Sequence, residues 1–315
     1  TEVLLAAYAH YGTECLPHLR GMFAFAIWDR TARTLFLARD RIGKKPLKYA
    51  WIGDTFIFAS ELKALLTYPG FTPGVAWEDV GEYLLHGYIP SSGTGFRGIQ
   101  KLPPATGMLI APDQQRSWTY WDLAYEPKRS APFAGEVEAC HATLREAVRL
   151  RLRSDVPLGV FLSGGVDSSL VTALMRDLDV ATLKTFSIHF RDERADETRY
   201  ARFVAERMAT EHHEFTVDED LLQHLPHAVR MYEEPFADAA GFATYFLSSL
   251  ARRDVTVALS GEGGDEAFAG YHHYTHGLRL RRLLGLPAAL RHGLARALAV
   301  SAHLLPARAR ARTGL

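Results

Sequence analysis

The chain is 315 residues long, enough for two domains with cores of their own, and its 48% apolar and 23% charged content is ordinary for a globular protein. Lys+Arg and Asp+Glu both total 36, so no global charge argues for nucleic acid or a membrane surface as partner. Two cysteines outside any CxxC or zinc spacing, no apolar run near ~20 residues and no leader pattern point to a cytoplasmic setting.

Residues 2–11 put Val3, Leu4, Ala7, Tyr8 and Tyr11 on one helical face. The texture then changes. MFAFAIWD, TLFLARD, LKYAWI and TFIFAS are short apolar or alternating runs split by turn residues, the pattern of packed antiparallel strands. Residues 61–66 and 77–86 are expected as short helices, and GMLIAP and SWTYWDL as two more strands. The tyrosines and tryptophans of residues 49–121 are spread over these strands and read as packing. Residues 126–135, EPKRSAPFAG, read as a linker between domains at 1–125 and 136–315.

Beyond the linker, strand alternates with helix: LGVFL, a helix over 167–178, KTFSIHF, a helix over 196–208, HHEFTV, helices near 219–233 and 241–252, then VTVALS. That order predicts a parallel sheet covered on both faces, with ligands at the carboxyl ends of its strands. The pairs His212-His213 and His272-His273 have no metal spacing and are expected on the surface or in a substrate pocket. Residues 278–315 carry eight arginines and no acid among leucines at helical spacing. Amphipathic helices are expected there.

Two motifs carry chemistry. In FLSGGVDSS, Ser163, Gly164 and Gly165 fall where a strand meets a helix N-terminus, and there unpaired N–H groups and the helix dipole favour an anion. Ser168 and Ser169 add hydroxyls. Asp167 is a carboxylate beside that anion, tolerable when a divalent cation lies between them, so Mg2+ is implied. The loop lacks the lysine of a Walker A motif, which disfavours terminal phosphoryl transfer. In SGEGGDEAFAGY, Ser260, Gly261, Gly263 and Gly264 form a second backbone-rich turn that brings Glu262, Asp265 and Glu266 together. Such acids suit a metal ion and a proton acceptor, or simply cap a helix.

SGGVDSS resembles the pyrophosphate loop of the N-type ATP pyrophosphatases. With GMFAFAIWD, ARDRIGKKPLKY, FASELKAL, RGIQKLPPATGMLI, EEPFADAA and ALSGEGGDEAFAGY, the whole chain resembles glutamine-dependent asparagine synthetases. The resemblance implies an α/β chain: part of an N-terminal nucleophile amidotransferase (glutaminase) domain, then a parallel-sheet ATP-pyrophosphatase (adenine nucleotide alpha hydrolase-like) domain. It implies conversion of aspartate, glutamine or ammonia, and ATP to asparagine through a β-aspartyl-AMP. By motif, Leu162, Ile188, Ser260 and Gly261 would contact adenosine, residues 163–169 would bind pyrophosphate, Asp167 and Asp265 would ligate magnesium, and Glu262 would serve adenylate formation and aminolysis.

The family's terminal cysteine, an arginine and an Asn-Gly pair are absent, as is a later pyrophosphate-contacting lysine, so the resemblance implies an internal piece of a longer enzyme that is inactive alone. Glu262 stands where β-lactam synthetases carry a tyrosine, which favours an external amine. The alternatives are amidation of another carboxylate, and a tRNA-modifying ATP pyrophosphatase. The arginine-rich segment is the only feature favouring RNA, and it lacks aromatic stacking residues. Small-molecule substrates are the expected partners, with a homodimer left open.

Overall fold

The computed structural model describes residues 1–128, 131–190, 198–217, 221–238, 240–288 and 290–293. The first compact unit comprises Thr1–Ala139 and Asp218–Ser248; the second comprises Cys140–Val217 and Ser249–Leu315.

The first unit starts with α1 (Glu2–Tyr11) and a 3-10 helix (Gly12–His18), followed by β1 (Ala24–Asp29), β2 (Thr34–Arg39), β3 (Lys48–Ile52) and β4 (Thr55–Ala59). Next come α2 (Leu62–Leu66), α3 (Trp77–His86), β5 (Ile99–Lys101), β6 (Thr106–Ala111) and β7 (Gln114–Thr119). Strands pair in the orders β1-β2-β6-β7 and β4-β3-β5, all antiparallel. One core gathers Leu16, Ile27 and Phe36, with Tyr8 and Trp118 stacked on the Phe36 ring. Others gather Leu37, Leu102 and Met108, and Ala50, Leu62 and Ile99. SWTYWDL is displaced from its expectation: β7 lies earlier, over QQRSWT, and the chain beyond Thr119 is not strand.

ARDRIGKKPLKY, between β2 and β3, folds around two adjacent side chains. Arg39 donates to the carbonyls of Gly43, Lys45 and Leu102 at 2.7–2.8 Å. Asp40, 1% exposed, accepts from the amides of Phe23, Ile42, Lys44 and Lys45. The loop residues 41–46 are mostly exposed, so it is the buried Asp40 carboxylate that needs these partners.

The chain continues through α4 (Phe133–Arg151), β8 (Leu158–Phe161), α5 (Val166–Asp177), β9 (Lys184–Phe190), α6 (Thr198–Arg207) and β10 (Glu211–Val217). Then follow α7 (Leu221–Tyr232), α8 (Ala240–Ala251), β11 (Val257–Leu259), α9 (Gly264–Phe268) and α10 (His272–Leu284). The expected linker ends in helix, because α4 already starts at Phe133. Residues 196 and 197, 219 and 220, 289, and 294–315, all expected as helix, lie outside the described residues.

In the second unit the strand order is β10-β9-β8-β11, and every pairing is parallel. Val160, Leu174, Met175, Leu183 and Leu259 form its core with Val148 of α4. β9 and β10 extend the sheet to one side of β8, while β11 returns on the other. The order therefore reverses between β8 and β11, the place where open parallel sheets form a ligand crevice. Among the described residues no helix is long and apolar enough to cross a membrane.

Candidate active site

Both glycine motifs leave the sheet at this reversal. Leu162, 1% exposed, packs with Ala201 and Ala205 of α6, and its amide donates to Phe186 O at 2.8 Å, so β8 pairing runs into the turn. Gly164 then takes φ +84°, and a Cβ there would sit 2.5 Å from the Ala201 nitrogen. Only glycine fits both the left-handed backbone and that approach. Gly165 caps α5 with extended geometry and no side-chain hydrogen bond to the helix.

The serines have separate positions. Ser163 and Ser168 bond through their hydroxyls at 3.0 Å; Gly165 N donates to Ser163 Oγ at 3.2 Å, and Ser168 Oγ donates to Gly165 O at 3.2 Å. Ser168 is buried and closes the turn. Ser169 differs. Its Oγ is buried and has no hydrogen-bond partner among the described residues.

The β11 motif packs directly on this turn. A Cβ on Gly261 would meet the Ser168 nitrogen at 2.7 Å, and one on Gly264 would lie 2.5 Å from Asp167 Oδ2. Two glycines thus admit the Ser168 backbone and the Asp167 carboxylate. Gly263, at φ +95°, turns the chain into α9, and Gly264 N donates to Gly261 O at 3.2 Å. Ser260 and Glu262 are exposed, and Ser260 Oγ accepts from Glu262 N at 3.4 Å. Asp265 is half-buried with its carboxylate against Gly270. Glu266 accepts from Tyr271 OH at 2.8 Å; that bond draws the carboxyl below its ordinary range and pushes the phenol up to about 12. Ile188 lies on β9 beyond its last pair with β8, Phe161 with Phe186.

The structure thus brings Asp167 and Ser168 against Gly261 and Gly264, places Ile188 on β9 past its pairing with β8, and leaves Glu262 open to solvent. Among the described residues no group of three or more His, Cys, Asp or Glu is gathered for a metal ion. His212 is a tethered sheet residue rather than a surface one: its ring nitrogens bond Thr185 Oγ1 at 2.8 Å and Ser187 Oγ at 3.2 Å, and burial pushes its pKa down. Cys15 is buried and Cys140 half-buried, both as free thiols.

A model of the asparagine synthase family matches residues 139–315, and one of a glutamine amidotransferase domain matches residues 1–121. The chain belongs to the asparagine synthase family. A protein of Methanocaldococcus jannaschii named as a glutamine-hydrolyzing asparagine synthetase is 38% identical over 302 residues, 92% of this chain and 57% of that one. Asparagine synthetase 1 of Bacillus subtilis, also named glutamine-hydrolyzing, is 35% identical over 95% of this chain and 47% of its own length. The amidase chyE of Penicillium rubens is 33% identical over 86% of this chain and 43% of its own. The chain spans about half the length of the curated relatives it matches. The family membership, the antiparallel sheets of the first unit and the parallel sheet of the second bear out the expected fold class.

What sequence reading missed is the use of EEPF. Glu233 and Glu234 sit in the first unit and bond Lys48 and Lys101 there. The alternation of LKYAWI gave no sign that Lys48 points into a buried pair.

Proposed function

We propose that this chain carries the nucleotide-binding part of a cytoplasmic ligase that turns aspartate, ATP and glutamine or ammonia into asparagine, AMP and pyrophosphate, with glutamate formed when glutamine is the donor. The observation that carries the reading is the buried, unpartnered Ser169 Oγ beside two glycine turns that pack together at the sheet's reversal point. An uncapped helix N-terminus with a waiting hydroxyl fits a phosphate group. In this reading residues 163–169 hold the β and γ phosphates, while Leu162, Ile188, Ser260 and Gly261 border the adenosine.

The substrate carboxylate attacks the α phosphorus and expels pyrophosphate, which makes β-aspartyl-AMP. Ammonia then attacks the acyl carbon and AMP leaves. A carboxylate oxygen alone is a poor leaving group, and adenylation cures that. Glu262, solvent-facing at the mouth of the turn, accepts the proton that the attacking amine must shed. Magnesium, when bound, would offset charge on the phosphates, and Asp167 with Asp265 would hold it. Two carboxylates suffice for an ion that also takes phosphate oxygens. We also place the division between glutaminase and synthetase parts in the 126–135 linker.

The test uses the intact enzyme with aspartate and ammonia. Asp167→Asn should raise the magnesium needed for pyrophosphate release while leaving the melting temperature near wild type. Glu262→Gln should retain ATP binding and lose amide formation. Unaltered magnesium dependence in the first, or normal asparagine yield in the second, removes that residue from its role. A panel of other carboxylates tests the acceptor, since a relative is named an amidase.

A further inference from the structure

We propose that Glu233 and Glu234 form a clamp that couples the use of glutamine nitrogen to the ligase reaction, a role that rests on the function proposed above. The asparagine synthase match covers residues 139–315, yet Asp218–Ser248, from within it, belongs to the same compact unit as Thr1–Ala139. The ligase sequence thus makes an excursion into the amidotransferase unit. The clamp is what fixes it there.

Glu233 follows α7 with φ 63°, and the two neighbouring carboxylates together reach two strands: both lie near Lys48 Nζ of β3, at 3.2 and 3.9 Å, and Glu234 also bonds Lys101 of β5. Its side chain is 7% exposed. Oε2 accepts from Leu62 N at 2.7 Å and Lys48 Nζ at 3.2 Å, and Oε1 accepts from Lys63 N at 3.1 Å. One carboxylate therefore caps α2, which has no side-chain cap of its own, and neutralises Lys48 on β3. Burial works against the charge, but the two amides and the ammonium more than offset it and hold the carboxyl below its ordinary range. Glu234 bonds Lys101 Nζ at 2.9 Å at the end of β5, and that ammonium also donates to Ile89 O at 2.9 Å. Ala237 N donates to Gly87 O at 2.9 Å.

Buried ion pairs rarely stabilise more than apolar packing of equal size; their best-attested service is to fix one register. Both ends of the excursion run into the ligase unit, through β10 before it and α8 and β11 after it. Fixing it from amidotransferase strands links the two activities without a group at either reaction centre. Glu233 and Glu234 are positioning residues in this account.

In the intact enzyme, Glu233→Gln and separately Lys101→Met should raise the glutamate formed per asparagine formed several-fold, with ammonia-dependent turnover retained. Hydrogen exchange at the Leu62 and Lys63 amides should quicken in Glu233→Gln. Parallel loss of both activities, or an unchanged ratio, overturns the coupling. Should Glu233→Gln fail to fold, Lys101→Met alone decides, because it removes only the outer arm. Exchange needs no substrate, so a wild type that amidates no carboxylate would sink the functional reading while the clamp is still tested; unchanged exchange sinks the clamp.

Discussion

Ser169 and Asp40 show how a single polar side chain can be read as waiting or as spent. Asp40 is spent, with four backbone amides of its own loop and neighbour donating to it. Asp40→Ala would remove the one buried acceptor that these part-buried amides share, and a hydrogen bond to a charged group contributes roughly 1.5–3 kcal/mol. We expect a loss of about 3 kcal/mol or more, measured as a lower urea midpoint with unchanged slope. Ser169 is the opposite case, a hydroxyl whose buried Oγ has no partner among the described residues. If it serves only the fold, Ser169→Ala removes a desolvation penalty and leaves or raises the melting temperature. If it serves phosphate, the same change also raises KM for ATP about tenfold, the equivalent of about 1.4 kcal/mol. Equal KM with a raised melting temperature would leave the hydroxyl without a role.

At the scale of elements, the parallel sheet positions the site because two strands far apart in sequence end side by side. Most of that was legible. The period-two and short apolar runs gave β1 to β4, β6, β8 and β9, since each carries apolar side chains that are buried or half-buried. β7 was legible only over Ser117–Thr119, because five of its six residues are exposed and an edge strand wet on both faces has little alternation to read. α4 escaped for a similar reason: across Phe133–Arg151 only Val148 is buried, and a Pro- and Gly-rich stretch runs into its start. The candidate site residues in 162–169 and 260–265 were legible as motifs, whereas the packing of Asp167 and Ser168 against Gly261 and Gly264 was not.

His212 ties β9 to β10 within that sheet and gives a pH test. Its imidazole is held by Thr185 and Ser187 and its pKa is pushed down by burial, with His213 and Arg202 adding to the depression and Glu214 opposing it. The unfolded chain takes a proton near pH ~6.5 that the folded one resists. Stability from the neutral ring is therefore present above that pH and lost as pH falls toward the folded value. The urea midpoint of the second unit should decline below pH ~6.5, and His212→Gln should flatten that decline. An identical pH profile in the variant would exclude His212 as its source.

On the scale of the whole molecule, sequence order and compact units disagree, and the disagreement predicts how the chain comes apart. Sequence reading divides it at the linker, where residues 122–128 are exposed and Tyr125 and Lys128 offer cleavage points to chymotrypsin and trypsin. A chain of two beads would separate there after one cut. Here the downstream piece carries Asp218–Ser248, which packs in one unit with the upstream piece. That joint includes Lys48 with Glu233, Lys101 with Glu234, and an apolar cleft of about 540 Å³ whose walls include Val80, Phe96, Ala228 and Phe242. No sequence signal could give it, because Lys48 and Glu233 lie 185 positions apart. Brief proteolysis of the native protein should therefore yield two bands on a denaturing gel that still elute as one species in gel filtration. Urea should separate them, with Glu233→Gln lowering the concentration required. Elution of the two pieces apart in native buffer would mean that Asp218–Ser248 does not hold the upstream piece, and the proposed clamp would fail with it.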